Sequence, residues 1–281
     1  MKYKPEEEKL LMTELWSPVV KDNPLNFVKF AFPWGMKDTP LEDFKGPRKW
    51  QEKILREMTI HIQRNGVKDL PEMFRMAVAS GRGIGKSALV AWIILWMLST
   101  RLGSTVIVTA NTEQQLRSRT WAELGKWLTL SINSHWWSKT ATTIKPAAWF
   151  DEALERDLKI DTGYYYAQAQ LWSEENPDAF AGIHSSYGVC LIMDEASGIP
   201  SPIYSVSEGF FSEPTPNRFW FTFSNPRRNQ GPFYDSFHSA KSFWKNEQID
   251  SRTVEGTDKE LFSKMIEQYG EDSTVARVEV M

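Results

Sequence analysis

The chain has 281 residues, 41% of them hydrophobic, and it includes 13 Trp and 16 Phe. This is enough apolar surface for one large domain, or for a domain with a smaller appendage, and it excludes overall disorder. The formal net charge is −3, which excludes a global basic field, so any surface that binds nucleic acid must be a local patch.

One cysteine, Cys190, is present. It excludes a disulfide framework and a multi-cysteine metal site, and it fits a reducing cytosol. The N-terminal "MKYKPEEEKLL" lacks the basic-then-apolar order of a signal peptide. The longest apolar run, residues 88–98, is too short to span a bilayer and predicts a buried helix.

Two helices are predicted in the N-terminal part of the chain. Asn23-Pro24 is typical of an N-cap and first turn, and this helix should stop near Pro33. The segment "GPRKWQEKILREMTIHIQRNG" has apolar residues at helical spacing and predicts a second, amphipathic helix that ends at Gly66.

Four short, nearly continuous apolar runs predict strands that are covered on both faces: 74–79, 105–110, 188–193 and 218–224. A helix over 86–99 separates the first two, which makes a βαβ unit and implies a parallel sheet. A further helix near 123–132 and a strand near 164–171 are expected in the Trp-rich segment.

The last part of the chain predicts one more helix and a strand. Thr257 and Glu260 have the spacing of a capping box, and Gly270 is expected to end the helix that follows. We expect the final "STVARVEVM" to begin a strand.

A phosphate-binding loop is predicted by "SGRGIGKS", which lies between the first strand and the apolar helix. Its glycines let backbone N–H groups point inward, and the helix N-terminus adds a partial positive charge. Lys86 would reach the β- and γ-phosphates, and Ser87 would ligate Mg²⁺. Arg82 is either solvated or a cation that stabilises transition-state charge on the γ-phosphate. Ser80 stands where the usual motif begins with glycine.

An acidic pair ends the third strand, in "GVCLIMDEASGI". Asp194 would hold Mg²⁺, and Glu195 would orient and deprotonate the attacking water. A carboxylate in the Glu195 position suits a hydrolase better than a small-molecule kinase, which must exclude water.

Two further candidate sites also have an ordinary structural interpretation. Ser224 and Asn225, after the fourth strand, either contact the γ-phosphate or form an ordinary turn. The Gln51 amide either reads a donor and an acceptor on adenine or lies at the surface.

Taken together, Trp50-Gln51, "SGRGIGKS", "TVIVTANTEQQ", "AGIHSSYGVCLIMDEAS" and "TFSNP" resemble, in this order, the ATPase domain of the large terminase subunit of tailed double-stranded DNA phages. The segments "NPLNFVKFAFPWG" and "EQYGEDSTVARVEVM" are similar to that family as well. We therefore expect an α/β fold: a P-loop NTPase of the additional-strand (ASCE) type, with a mostly parallel central sheet flanked by helices. The expected division is an ATPase domain with an N-terminal helical extension over 1–230 and a small linker subdomain over 231–281.

The resemblance implies an ATP-hydrolysing motor that moves double-stranded DNA into a procapsid. It implies catalytic roles for Glu195, Arg82 and Lys86, and Mg²⁺ ligation by Ser87 and Asp194. Segment "TANTEQQ" would link nucleotide state to DNA grip, or would be a plain strand-to-helix turn. The implied nucleotide-binding residues are Gln51, Ser80, Gly81, Arg82, Gly83, Ile84, Gly85, Lys86, Ser87, Ser224 and Asn225.

The implied partners are double-stranded DNA, the portal protein, the small terminase subunit and further copies of the chain in a ring, expected to be a pentamer. We expect no membrane contact, a location in the bacterial host cytoplasm and transiently at the portal vertex, and absence from the mature virion. Members of the family continue into a nuclease domain with clustered aspartates. The chain ends after "ARVEVM", so we expect no DNA cutting.

Two other functions share these motifs: a helicase-like DNA-dependent ATPase, and a nucleotide-binding assembly module that does not hydrolyse ATP. A ring motor also needs an arginine that reaches a neighbouring subunit, and the candidates are Arg101, Arg117 and Arg119. His184 and Cys190 are expected to be packing residues.

Overall fold

Eight strands make up one sheet in the computed structural model, which describes residues 4–281. The first three residues of the N-terminal segment "MKYKPEEEKLL" lie outside the described residues. The strands are β1 (Phe74–Ser80), β2 (Thr105–Thr109), β3 (Trp137–Lys139), β4 (Thr143–Pro146), β5 (Tyr166–Ala169), β6 (Val189–Asp194), β7 (Arg218–Ser224) and β8 (Lys245–Ile249).

Helices cover both faces of this sheet. They are α1 (Pro5–Leu15), α2 (Pro18–Lys21), α3 (Pro24–Ala31), α4 (Lys49–Asn65), α5 (Lys86–Thr100), α6 (Glu113–Gln115), α7 (Ala122–Leu130), α8 (Ala148–Leu158), α9 (Ser201–Ser207), α10 (Pro232–Asp235), α11 (Lys259–Tyr269) and α12 (Thr274–Glu279). Between α6 and α7 the chain forms a π-helical segment, Leu116–Trp121.

The strand order is β3-β4-β5-β2-β6-β7-β1-β8. All pairs from β5 to β8 are parallel, and only the β3–β4 and β4–β5 pairs are antiparallel. β7 lies between the strand that leads into the glycine-rich loop, β1, and the strand that ends in the acidic pair, β6. This inserted strand confirms the predicted additional-strand type of α/β fold.

The core divides into two apolar clusters, one on each face of the sheet. The larger contains α5, whose residues from Leu89 to Thr100 are all buried. A helix that is apolar all round must be covered all round, and here α3 and α7 pack against it. Trp34 and Trp127 have their ring centroids 5.7 Å and 4.9 Å from the Trp92 ring on α5. The apolar run 88–98 is therefore a buried helix, as predicted.

Most elements predicted from the sequence are present. The helix of α3 begins after Asn23, whose side chain accepts a hydrogen bond from the Asn26 amide, and α4 ends at Gly66. The four predicted strands of the parallel sheet correspond to β1, β2, β6 and β7, and the weaker predictions near 123–132 and 164–171 correspond to α7 and β5.

Two predictions near the C-terminus were wrong. The N-cap of α11 is Asp258, whose side chain accepts from the Leu261 amide, and not Thr257. The predicted final strand is the helix α12, with Ser273 as its N-cap. Ala276, Val278 and Val280 are all buried, so burial alternates here as it would in a strand although the backbone is helical.

Segment 231–281 contributes to the main sheet, because β8 pairs with β1 over five residues, from Met76–Lys245 to Ser80–Ile249. The division at residue 230 stays a prediction. Cys190 is fully buried in β6, whereas His184 is exposed and is not the packing residue that we expected. Within residues 4–281, no helix combines the length and the apolar character needed to cross a membrane.

Candidate active site

The glycine-rich loop joins the end of β1 to the start of α5. Gly83 and Gly85 have φ angles of 72° and 89°, a region in which residues with a Cβ are strained. Gly85 is the N-cap of α5. The unpaired N–H groups of the first turn of α5 therefore face the loop, as an anion site requires. The Ile84 side chain is buried, and its carbonyl accepts a hydrogen bond from Trp50, so only its backbone N–H is available to a ligand.

Lys86 connects this loop with the end of β7. Its Nζ donates to Ser80 Oγ at 2.9 Å, to the Gly81 carbonyl at 3.1 Å and to Asn225 Oδ1 at 3.2 Å. Burial lowers the pKa of Lys86, and the charges of Asp194 and Glu195 oppose that shift. The lysine therefore lies in the field of the acidic pair, with its ammonium group held on neutral acceptors that a phosphate could replace. Ser87 follows it in the first turn of α5 and is partly buried.

The acidic pair occupies the carboxyl end of β6. Asp194 Oδ1 accepts from the Glu195 amide at 3.0 Å, and Oδ2 accepts from Thr120 Oγ1 at 2.6 Å. Glu195 has a φ of 54°, a left-handed conformation that is uncommon for a residue with a side chain and that clusters at functional sites. Arg119 lies 3.9 Å from the Glu195 carboxylate.

Ser224 and Asn225 join three parts of the site. Ser224 Oγ donates to Ser197 Oγ at 2.8 Å and accepts from the Ser197 amide at 3.1 Å, so it holds the turn that follows the acidic pair. Asn225 accepts from Lys86 and donates from Nδ2 to the Val278 carbonyl at 2.9 Å. Because β7 lies beside β6, the two predicted motifs are adjacent in space.

Gln51 lies against the glycine-rich loop and is 2% exposed. Its Oε1 accepts from the Arg48 amide at 2.8 Å, and its Nε2 donates to the Gly85 carbonyl at 2.9 Å. Both ends of the amide are therefore bonded within the chain, at the start of α4. The alternative of a surface glutamine is wrong, and adenine recognition stays a prediction that requires these bonds to be exchanged.

Arg82 is contacted by the last helix. Its guanidinium forms an ion pair with Glu279, and its amide donates to the Glu279 carbonyl at 3.0 Å. Ser251 Oγ donates to the Arg82 carbonyl at 2.9 Å, and the Ser251 amide donates to the Val280 carbonyl at 2.7 Å. The C-terminal segment thus lies directly on the glycine-rich loop.

The segment "TANTEQQ" lies beside the acidic turn. The Asn111 side chain is so close to Gly198 that a Cβ there would lie 2.0 Å from Asn111 Nδ2. Thr112 accepts a hydrogen bond from the Gln115 amide and is the N-cap of α6. The segment therefore forms a strand-to-helix turn and also contacts the turn after Glu195.

Of the three arginines considered for a neighbouring subunit, Arg101 is ruled out by its position. It is 7% exposed at the end of α5 remote from the loop, and it donates to Asp22 at 2.9 Å and to Asn217 at 3.0 Å. Arg117 forms an ion pair with Glu113 at 2.8 Å. Arg119 has 68% of its side chain exposed.

Sequence reasoning missed Thr120 and Glu279. Neither carries a motif, because their contacts depend on a π-helical segment and on a C-terminal helix that hydrophobic periodicity did not predict. Thr120 follows five residues after "TANTEQQ", a segment already assigned to the site. This nearness in sequence was the only available signal that Thr120 could reach the site.

Comparison with known proteins gives a relative by sequence and neighbours by fold. No model of a known protein family matches the sequence. A curated relative, the "Probable terminase, large subunit" of Enterobacteria phage P7, is 28% identical over 170 residues, which are 58% of this chain and 31% of the relative. The chain therefore matches less than two thirds of the length of this relative.

Solved structures support the fold. A mutant of the large terminase ATPase domain of Thermus phage P74-26 has a TM-score of 0.55 and 16% identity, and the match covers 83% of this chain and 92% of that one. A large terminase from a thermophilic bacteriophage, in complex with ADP, has a TM-score of 0.51 and 12% identity over 73% of this chain and 47% of that one. The resemblance predicted from the motifs is confirmed: the chain has the fold of the ATPase domain of phage large terminases.

Proposed function

We propose that the chain is the ATP-hydrolysing motor domain of a DNA-packaging terminase, which drives double-stranded DNA into a procapsid. The observation that carries this proposal is the position of Lys86. Its Nζ bonds to the glycine-rich loop and to Asn225, and it lies in the field of Asp194 and Glu195. One cation therefore contacts the predicted phosphate site and the residue after β7, within the field of the predicted catalytic carboxylates.

Phosphate binding is assigned to the loop over residues 80–87. The N–H groups at the start of α5 would donate hydrogen bonds to the phosphate oxygens, and Lys86 would exchange its neutral acceptors for the β- and γ-phosphates. Arg82 would stabilise charge on the γ-phosphate only after leaving Glu279. Gln51 would read adenine from the start of α4.

The donor set fits Mg²⁺. Ser87 supplies a hydroxyl and Asp194 a carboxylate, the hard oxygen ligands that Mg²⁺ prefers, and Mg²⁺ usually completes its shell with water and substrate phosphates. Within residues 4–281, no three His, Cys, Asp or Glu side chains cluster into a metal site of their own. When bound, Mg²⁺ would neutralise charge that develops on the phosphates.

Glu195 is assigned as the general base. Its left-handed backbone lets the chain turn at the end of β6, and its carboxylate would accept a proton from the attacking water. Asn225 contacts Lys86 directly, so we assign Ser224 and Asn225 to the coupling of phosphate occupancy with the rest of the domain. The Thr109–Gln115 segment, which contacts the turn after Glu195 through Asn111, would pass this state to the DNA-gripping surface.

The partners follow from the same proposal: double-stranded DNA, the portal protein, the small terminase subunit, and other copies of the chain in a pentameric ring. We place this assembly in the host cytoplasm, and at the portal vertex during packaging.

The decisive experiment is ATP hydrolysis with Mg²⁺ by wild type and by Glu195→Ala, with nucleotide binding measured in parallel. We expect Glu195→Ala to bind ATP and to lose about 100-fold in turnover, as for the loss of a general base. Glu213→Gln, which alters an exposed glutamate, is the control and should hydrolyse as wild type does.

Three results would contradict the proposal. Equal hydrolysis by Glu195→Ala would remove the catalytic assignment. Tight ATP binding with negligible turnover by the wild type, including in the presence of DNA, would favour a nucleotide-binding assembly module. Strand unwinding coupled to hydrolysis would favour the helicase-like alternative.

A further inference from the structure

Thr120 behaves differently from the other threonines in the helices of this chain. Four of them donate their hydroxyl to the carbonyl four residues earlier, at 2.6–3.0 Å: Thr13, Thr59, Thr100 and Thr129. This is the ordinary local bond of a helical threonine. Thr120 Oγ1 instead donates to Asp194 Oδ2 at 2.6 Å, across 74 positions in the sequence.

The π-helical segment Leu116–Trp121 explains this orientation. A π turn adds a residue to the helical repeat, and such turns occur frequently at functional sites. It directs two consecutive side chains, Arg119 and Thr120, to the two consecutive acids Glu195 and Asp194. An unbroken α-helix over the same residues would offer Thr120 its usual local acceptor.

The contact holds the Asp194 carboxylate from both sides. Oδ1 accepts from the Glu195 amide on its own turn, and Oδ2 accepts from Thr120 on a separate element. Thr120 is 1% exposed, so its hydroxyl is shielded from solvent. Hydrogen bonds from a hydroxyl to a carboxylate are short and strong, and the 2.6 Å separation belongs to that class.

We propose that Thr120 is a positioning residue, which fixes the Asp194 carboxylate in the orientation that binds the Mg²⁺ of a Mg²⁺–nucleotide complex. This inference rests on the proposed function, since it takes Asp194 as the metal ligand. Groups that hold metal ligands typically change metal affinity or activity by about 10–100-fold when they are removed.

The test compares Thr120→Val, which keeps the shape and loses the hydroxyl, with Thr120→Ser, which keeps the hydroxyl. The control is Thr129→Val, since Thr129 is an exposed helical threonine with a local bond. Two readouts are needed: Mn²⁺ bound in the presence of a non-hydrolysable ATP analogue, measured by electron paramagnetic resonance, and the Mg²⁺ concentration that half-activates ATP hydrolysis.

We expect Thr120→Val to weaken Mn²⁺ binding about tenfold and to raise the half-activating Mg²⁺ concentration by a similar factor. Metal-free binding of the nucleotide should stay within about twofold of wild type. Thr120→Ser should recover most of the loss, and Thr129→Val should match wild type. If Thr120→Val does not fold, Thr120→Ala replaces it.

Unchanged metal dependence in Thr120→Val would overturn the inference. It would also be overturned if Thr120→Ser failed to restore metal binding. The proposed function fails separately, if the wild type does not hydrolyse ATP. Mn²⁺ binding requires no turnover, so it reports on Thr120 in either case.

Discussion

His61 is a buried titratable side chain far from the candidate site. It is 8% exposed on α4, its ring centroid lies 5.1 Å from that of Phe74, and its Nε2 lies 3.0 Å from Asn65 Nδ2. Burial lowers the pKa of His61 from 6.5 to about 4. The folded protein therefore binds a proton here less readily than the unfolded chain does.

This shift predicts a loss of stability in acid. A group with a lowered pKa in the folded state stabilises the protein above its unfolded pKa, and that contribution disappears as the pH falls from 6.5 through 4. The pKa shift corresponds to about 3 kcal/mol. Urea denaturation at pH 7 and pH 4 should show wild type losing about this much more free energy of unfolding than His61→Leu.

His184→Asn, which alters an exposed histidine, is the control for the removal of an imidazole. Equal pH dependence in wild type and His61→Leu would show that the imidazole of His61 is not the group responsible.

Residues with a local signature were predictable, and residues that act through tertiary contacts were not. The spacing of the glycines, Lys86 and Ser87, and the position of Asp194 and Glu195 after an apolar strand, identified the loop and the acidic pair. Thr120 and Glu279 had no such signature. Thr120 lies 74 residues before Asp194, which it contacts, and Glu279 lies 197 residues after Arg82, which it contacts.

Among the elements, α12 shows why a short segment can be misread. Its Val-Ala-Arg-Val-Glu-Val order alternates as a strand does, and Ala276, Val278 and Val280 are buried in that alternating order, yet the backbone is helical. The Ser273 cap and the surface beneath α12 select the helix. Strands β3, β4 and β8 were missed for a different reason: they have only 3–5 residues and lack the continuous apolar run that identified the equally short β2. Edge strands are commonly short and polar.

The contact of the C-terminal segment with the glycine-rich loop can be tested at Gly81. A Cβ at Gly81 would lie 2.3 Å from Ser251 Oγ and 2.4 Å from the Val280 carbonyl, so the backbone after α12 would have to move. Gly81→Ala should lower the free energy of unfolding by about 1–3 kcal/mol, the usual cost of overpacking, as measured by urea denaturation.

Gly209→Ala is the matched control, since nothing lies within 4 Å of a Cβ at Gly209. If Gly81→Ala and Gly209→Ala had the same free energy of unfolding, the end of α12 would not lie in close contact with the loop in solution.

At the scale of the whole molecule, the parallel order of the sheet was predictable and its extent was not. The strands next to the site are long and apolar, whereas β8 reads "KNEQI" and gives no apolar signal. Yet β8 pairs with β1, the strand that leads into the glycine-rich loop. Residues 231–281 should therefore stabilise the domain that they follow in sequence.

Stepwise shortening of the chain tests this. Ending the chain at residue 270 removes α12, and ending it at 230 also removes β8 and leaves β1 at the edge of the sheet. We expect the melting temperature to fall at each step, with the larger fall at the second because a paired strand is lost. A 1–230 chain that melts as the full chain does would mean that 231–281 is an independent subdomain.

Because Cys190 is buried, its reactivity reports the local opening of the sheet. It is the single cysteine, fully buried in β6 near the middle of the sheet, and burial raises the pKa of its thiol. An alkylating reagent can reach it only when the centre of the sheet opens. Where reclosing outpaces the reagent, the labelling rate measures the free energy of that opening. The opening of β6, the strand that ends at Asp194, can thus be followed in the unmodified sequence, with and without nucleotide.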